Sequence, residues 1–295
     1  MNHKKKTLEK ITPYGYIAPI TLILVVFVIG SVIISIVLSF TKYNIMTPPT
    51  FIGMKNYTRL WDDIVFRKAT ANTLKLLVLI VPLQMILSLC ISVFLVSQRK
   101  TFLGKLANGI VFIPVLCSNA VIGVVWRELL NGKIPIIEKF FGFFGLVPSR
   151  FIGDAKSALV VVAMVAIWKS IGYYVVIYSS GLLGISETYY EAAKIDGAGT
   201  IDNFFRITLP LLKPTIILSL FLSVTNSLQY YDLIANLTGG GPNNASTTLV
   251  VYAYTSCFKS GNAGYAMAIG NVLFLIVLFV AIMQSRLLKR DVSEI

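Results

Sequence analysis

Histidine is almost missing from this chain, and cysteine is scarce. His3 stands alone, and Cys90, Cys117 and Cys257 show no C-x-x-C spacing. A zinc site or a Cys–His nucleophile pair needs several such residues at short spacing, so the sequence excludes both. Charge is low as well. Only 13% of the 295 residues are Asp, Glu, Lys or Arg, against 56% hydrophobic ones, whereas a soluble globular domain carries about 25% charged residues. So little charge does not coat a water-facing surface, and the apolar side chains must face lipid as well as a core. Two further absences concern catalysis. Gly104-Lys105 is followed by Leu106 and lacks the upstream glycine, so no G-x-x-x-x-G-K-[ST] loop cradles phosphates, and the chain is not expected to hydrolyse ATP. No span or loop gathers His, Asp and Glu into a metal site or a paired acid and base, so no catalytic and no metal-ligating residue is expected.

What is present is basic and strongly patterned. The net charge is +13. The Lys and Arg residues sit in short clusters between apolar runs, which speaks against nucleic acid and for loops beside anionic lipid. A helix needs roughly 20 apolar residues to cross hydrocarbon. Six runs qualify: 16–40, 73–97, 106–127, 157–181, 211–235 and 266–288. Backbone in lipid must bond to itself, and the alternation of a membrane barrel is absent, so an all-α membrane protein with six transmembrane helices is predicted. The first run follows Lys4, Lys5, Lys6 and Lys10. It is too long for a signal core and shows no small-x-small cleavage site, so an uncleaved anchor is expected. Arg99, Lys100 and Lys105 crowd one short loop, and Arg286, Lys289 and Arg290 flank the last run. This bias places both termini in the cytoplasm. The predicted organisation is a cytoplasmic N-terminal tail (1–15), a transmembrane domain (16–288) with a cytoplasmic loop at 182–210, and a cytoplasmic tail (289–295).

That loop is the most informative segment. It reads Glu191-Ala192-Ala193-Lys194-Ile195-Asp196-Gly197, then nine residues, then Ile207-Thr208-Leu209-Pro210. Ser186 suits an N-cap and Glu187 the first turn of a helix, where the dipole favours an acid. Ala192 and Ala193 are strong helix formers, and Gly197 and Gly199 end the helix. Phe204, Phe205 and Ile207 start a second apolar stretch, and Pro210 with Pro214 opens the fifth span. A short helix–turn–helix shelf below the membrane is predicted. An ordinary amphipathic connector would satisfy the same pattern.

The pattern E-A-A-x-x-x-G-x9-I-x-L-P resembles the signature loop of the binding-protein-dependent ABC importer permeases. Leu38-Ser39-Phe40-Thr41, Phe51-Ile52-Gly53 and Asn56-Tyr57 look like the first outer loop of the carbohydrate branch, the maltose-type and glycerol-phosphate-type permeases. Thr238-Gly239-Gly240-Gly241-Pro242 looks like the loop before its last span. Ser186 departs from the proline that many relatives carry. The resemblance implies the type I ABC importer permease fold in a bacterial inner membrane. It also implies a coupling helix in a cleft of a cytoplasmic ATPase. There Glu191 pairs with a basic residue, Ala192 and Ala193 permit close packing, Gly197 makes the turn, and Ile207, Leu209 and Pro210 complete the motif. The implied partners are a second permease subunit, a different but related chain, with two ATPase subunits and an extracytoplasmic solute-binding protein. ATP and Mg belong to the ATPases, and this chain binds no cofactor.

Polar groups inside the runs point to a pathway. Lys75 lies near the start of the second run and can snorkel outward. Lys169 lies near the middle of the fourth run, so it must face the bundle interior, a partner or the pathway. Asp232 is expected either to pair with Lys169 or to sit at the membrane interface. Bonding across helices explains Ser223 or Ser227 alone. Asn226, Gln229 and Tyr230 together offer the amides, hydroxyl and ring that suit a sugar. By resemblance the solute site draws on the fourth and fifth spans, which makes Lys169, Tyr173, Ser223, Asn226, Ser227, Gln229 and Tyr230 the candidates. The leading expectation is import of a sugar or oligosaccharide. A charged solute, such as glycerol phosphate or an acidic glycan, is the alternative that Lys169 keeps open. A membrane-embedded enzyme lacks its catalytic cluster, and a stand-alone secondary transporter lacks repeated broken halves.

Overall fold

The computed structural model describes residues 16–292, with side chains up to Arg286. The N-terminal tail with Lys4, Lys5, Lys6 and Lys10, residues 293–295, and the side chains of Lys289 and Arg290 lie outside the described residues. The chain is almost entirely helical and divides into two compact units. The first holds residues up to Asp63 with Ala253–Leu273, and the second Ile64–Tyr252 with the chain from Phe274 onward.

In the first unit, helix α1 (Tyr16–Ser39) is apolar along its whole length and carries a π-helical turn at Val25–Ile29. A short hairpin follows, β1 (Thr41–Asn44) against β2 (Thr47–Phe51), antiparallel with Thr41 opposite Phe51. Helix α2 (Lys55–Asp62) then folds back on the end of α1. The outer-loop motif acquires a physical reason here. Buried Asn56 donates from Nδ2 to the Ser39 and Thr41 carbonyls at 2.8 and 2.9 Å, Tyr57 shares a 2.7 Å hydrogen bond with Ser39 Oγ, and the Ile52 amide donates to the Phe40 carbonyl. The helix end is thus capped by side chains from a later turn, as its orphan carbonyls require. Asn271 joins the cluster, accepting from Ser35 Oγ at 3.1 Å.

The second unit is a bundle. Its elements are α3 (Ile64–Ser97), α4 (Phe102–Leu116), α5 (Asn119–Leu130), α6 (Pro135–Phe143), α7 (Pro148–Gly153), α8 (Ala158–Leu183), α9 (Glu187–Ile195), α10 (Thr200–Leu211), α11 (Lys213–Leu228), α12 (Asp232–Leu237) and α13 (Leu249–Tyr254). The last two residues of α13 belong to the first unit, and helix α14 (Ala263–Val292) starts in the first unit and ends in this one. The core gathers Leu76 and Ile80 of α3, Val162, Val165 and Ala166 of α8, and Leu233, Ile234 and Leu237 of α12. Gly172 brings α8 against α4, since a Cβ there collides with the Val111 carbonyl oxygen. Small residues at such crossings let membrane helices approach closely.

Four helices are long and apolar enough to cross a membrane: Tyr16–Ser39, Ile64–Ser97, Ala158–Leu183 and Ala263–Arg286. Two bent pairs raise the number to six if each pair is one span. The third predicted span, 106–127, is not one helix. It breaks between α4 and α5 with a 98° change of direction, where Ser118 leaves helical geometry and accepts from the Val121 amide to cap a new helix. The fifth, predicted as 211–235, also differs. It bends by 66° at Leu212, where Pro214 has no amide to continue the preceding turn. It then stops at Leu228, and α12 begins after a break at Gln229–Tyr231.

Candidate functional site

Two breaks in membrane helices meet at one cavity of about 350 Å³. Its wall takes Val115 from the end of α4, Asn119 from the start of α5, Lys169, Ser170, Tyr173 and Tyr174 from α8, and Asn226, Gln229 and Tyr230 from the end of α11. Positions 169 and 173, and 170 and 174, are each one helical turn apart, so α8 presents one polar face. The helix ends supply the rest. Val115 and Asn119 flank the first break and Gln229 and Tyr230 lie in the second, so both breaks border the cavity.

Five of the seven predicted pathway residues line this cavity: Lys169, Tyr173, Asn226, Gln229 and Tyr230. The other two do not. Ser223 is buried and donates to Gln84 Oε1 at 3.4 Å, and Ser227 is buried and donates to the Val224 carbonyl within its own turn. The Asn226 amide donates to the Tyr174 hydroxyl at 3.3 Å, joining α11 to α8. Lys169 makes no ion pair among the described residues, and the wall holds no carboxylate. The expected alternative of a Lys169–Asp232 pair is not formed: Asp232 is exposed in the first turn of α12. Asn119 was not anticipated. Its Oδ1 is buried and accepts no hydrogen bond among the described residues. Its signal lay in Pro114 and the Ser118-Asn119 pair, which punctuate an apolar run. Gln84, a lone amide in the second run, was also passed over.

Beyond the C-terminal end of α8 the predicted helix–turn–helix is present. Ser186 caps α9 by accepting from the Thr188 amide at 3.4 Å, and Glu187 occupies the first turn. Gly197 sits at φ +79, in the left-handed region, while the Gly197 and Ala198 amides return to the Lys194 and Ala193 carbonyls. Gly199 does not end α9 but caps α10. Glu191, Ala192 and Pro210 are exposed, Ile207 and Leu209 half-buried, and Ala193 faces inward. One contact ties the two helices of the shelf together and one ties the shelf to the bundle. Tyr190 OH and Thr208 Oγ1 lie 3.0 Å apart, and Arg99 pairs with Glu187 at 3.4 Å. The second pair is exposed and stabilises little. On the shelf, Tyr189 and Ile195 of α9 and Ile201 and Phe205 of α10 are exposed, Ile195 at 87%.

The sequence profile of the binding-protein-dependent transport system inner membrane component family matches residues 76–292. The chain belongs to that family. It is therefore a multi-pass permease subunit of a transport system and not an enzyme. A multiple sugar-binding transport system permease protein of Streptococcus mutans is 32% identical, over 85% of this chain and 86% of its own length. A trehalose/maltose transport system permease protein of Thermococcus litoralis is 30% identical, over 94% of each. Among solved structures, a chain of a bacterial ABC transporter involved in the import of the acidic polysaccharide alginate superposes with a TM-score of 0.78 at 23% identity, covering 97% of this chain and 99% of that one. The ABC importer permease fold accounts for nearly every residue.

Proposed function

We propose that this permease subunit carries a sugar or oligosaccharide across a bacterial inner membrane through the cavity between α5, α8 and α11. The observation that carries the reading is the make-up of the wall. Amides of Asn119, Asn226 and Gln229, the Ser170 hydroxyl and the rings of Tyr173, Tyr174 and Tyr230 surround one space. Hydroxyl-rich solutes are bound by such a mixture of amides, hydroxyls and aromatic faces. The names of the relatives support a carbohydrate, since they are permeases for multiple sugars, trehalose and maltose, and lactose.

The same reading assigns six membrane spans, each bent pair counting as one, with both termini in the cytoplasm and domain limits at 16–288. Glu191, Ala192, Ala193, Gly197, Ile207, Leu209 and Pro210 form the coupling surface, on which one of two ATPase subunits seats. Those subunits bind ATP and Mg, a second and different permease subunit completes the pathway, and an extracytoplasmic binding protein delivers the solute. Uptake of tritiated maltose, trehalose, lactose and arabinotriose by the complete transporter in proteoliposomes tests the substrate class, and uptake of none of them refutes it. Reporter fusions test the topology. One at Asn244 is expected to read extracellular and one after Val292 cytoplasmic; the reverse reading overturns the arrangement.

A further inference from the structure

A second cavity, of about 890 Å³, lies between the first turns of α3, the start of α8 and the loop after α12. It shares no lining residue with the cavity between α5, α8 and α11. Part of its lining is cationic: Lys68 and Lys75 of α3, and Lys156 two residues before α8. No Asp or Glu lines it, and none of the three lysines forms an ion pair among the described residues. Asp154, the acid nearest to Lys156 in the sequence, accepts from the Lys156 amide at 3.1 Å within its own turn. The rest of the lining is largely apolar. Val78 and Leu79 of α3 and Val160 of α8 are exposed there, Val78 at 66%. On both elements the charge precedes the apolar residues. Lys75, Val78 and Leu79 are three and four positions apart and so share one face.

The level of the charges is set by α3. From Leu76 to Ser97 it carries no charged residue, a length of about 33 Å at 1.5 Å per residue, close to the ~30 Å hydrocarbon core. Lys75 therefore stands where hydrocarbon ends and phosphates begin. The loop adds donors at the same place. Asn243 and Asn244 line the cavity with φ +48 and +59, and no described residue accepts from either amide. Successive amides in such a turn form a concavity suited to an anion. Buried Asn72 holds this turn on α3, its Nδ2 donating to the Asn244 and Thr247 carbonyls at 3.0 Å each. We propose that the cavity binds an anionic phospholipid. Its phosphodiester sits among Lys68, Lys75, Lys156 and the Asn243–Asn244 turn, and an acyl chain lies along Val78, Leu79 and Val160. Charge complementarity selects this occupant: lysines at a membrane boundary attract anionic lipid, a free anion leaves the apolar part wet, and a neutral lipid leaves three ammonium groups unmatched.

The test uses the purified complete transporter. Native mass spectrometry counts the dioleoylphosphatidylglycerol and dioleoylphosphatidylcholine molecules it retains as each is titrated. The unsubstituted complex is expected to hold one more phosphatidylglycerol per copy of this subunit than the variant carrying Lys68→Gln, Lys75→Gln and Lys156→Gln, with phosphatidylcholine unaffected. Lys75→Gln alone weakens that molecule about fivefold, and it carries the test if the triple variant does not assemble. Lysine-to-arginine changes at all three positions keep the lipid. Val78→Trp, which fills the apolar part, weakens it with every charge in place. Glycerophosphoglycerol, the headgroup without chains, does not displace it. Equal retention by the unsubstituted and glutamine variants overturns the proposal. Displacement by glycerophosphoglycerol shows an anion site without lipid and overturns it as well. So does a carbodiimide cross-link from Lys75 to a carboxylate of another subunit, which makes the occupant a protein.

Discussion

Asn119→Leu separates a solute-binding residue from a packing residue by sign. The Asn119 carbonyl oxygen is buried with no hydrogen-bond partner among the described residues, and an unmet acceptor of this kind costs about 1–3 kcal/mol. The first turn of α5 is capped by Ser118 and not by Asn119, so leucine leaves the cap in place and fills a similar volume. The solute-free transporter should therefore gain stability, by about 1 kcal/mol. The solute should lose what the carbonyl provides when a hydroxyl donates to it. A loss of about 1–3 kcal/mol corresponds to roughly five- to 150-fold in uptake at limiting loaded binding protein. The stability is read as the denaturation midpoint of the complex in lipid nanodiscs without solute, and the uptake in proteoliposomes with the sugar that the unsubstituted transporter carries best. Opposite signs are expected. Unchanged uptake, or stability and uptake falling together, would show that something other than the solute meets this oxygen.

Glu191→Lys should abolish uptake while the subunit still inserts and assembles with the second permease, because Glu191 is exposed and makes no ion pair among the described residues; uptake at the unsubstituted rate refutes the coupling surface. Gly197→Pro should do the same, since proline holds φ near −65° and the turn needs +79; ATP hydrolysis that still responds to loaded binding protein would show the turn to be dispensable. Lys169→Met should cut uptake about tenfold or more, on the order of one charge-assisted hydrogen bond, with assembly unchanged. Asp232→Asn should not restore it, because the two side chains are not paired; loss of assembly by Lys169→Met would move the ammonium from the solute to the companion subunit.

The four long apolar helices and the helix–turn–helix after α8 were legible in the sequence because each leaves a local trace. Hydropathy integrates over a whole span, and Ser186, Glu187 and Gly197 are cap and turn residues whose preference is set within four positions. The two helix breaks were not legible for the same reason in reverse. Cys117 and Ser118 barely lower the mean hydropathy of a long run, and the stop at Gln229 follows residues that are as acceptable in a helix as outside it. The predicted run 106–127 therefore passes through Asn119 without a break. Ser223 and Ser227 entered the candidate set through the resemblance; Ser227, one position beyond Asn226, turns to another face, and Ser223, about one turn before it, is buried against Gln84. Gln84 carried a signal, a solitary amide in an apolar run, but its partners Ser170 and Ser223 lie far along the chain, and only the packing of three helices reveals them.

Building the proposed solute wall from helix ends has an evolutionary consequence. The residues that hold the bundle together, Leu76, Ile80, Val162, Ala166, Leu233 and Ile234, lie on helix faces in a buried cluster, where a change of one methylene is felt in packing. Asn119, Asn226 and Gln229 stand instead beside breaks in the helices, half-buried or exposed in this chain, with little of the core resting on them. Substitution there disturbs little of the apolar core, so on the proposed reading ligand preference can change on a scaffold that need not be rebuilt. Relatives about 30% identical that serve different sugars are what such a separation of duties allows.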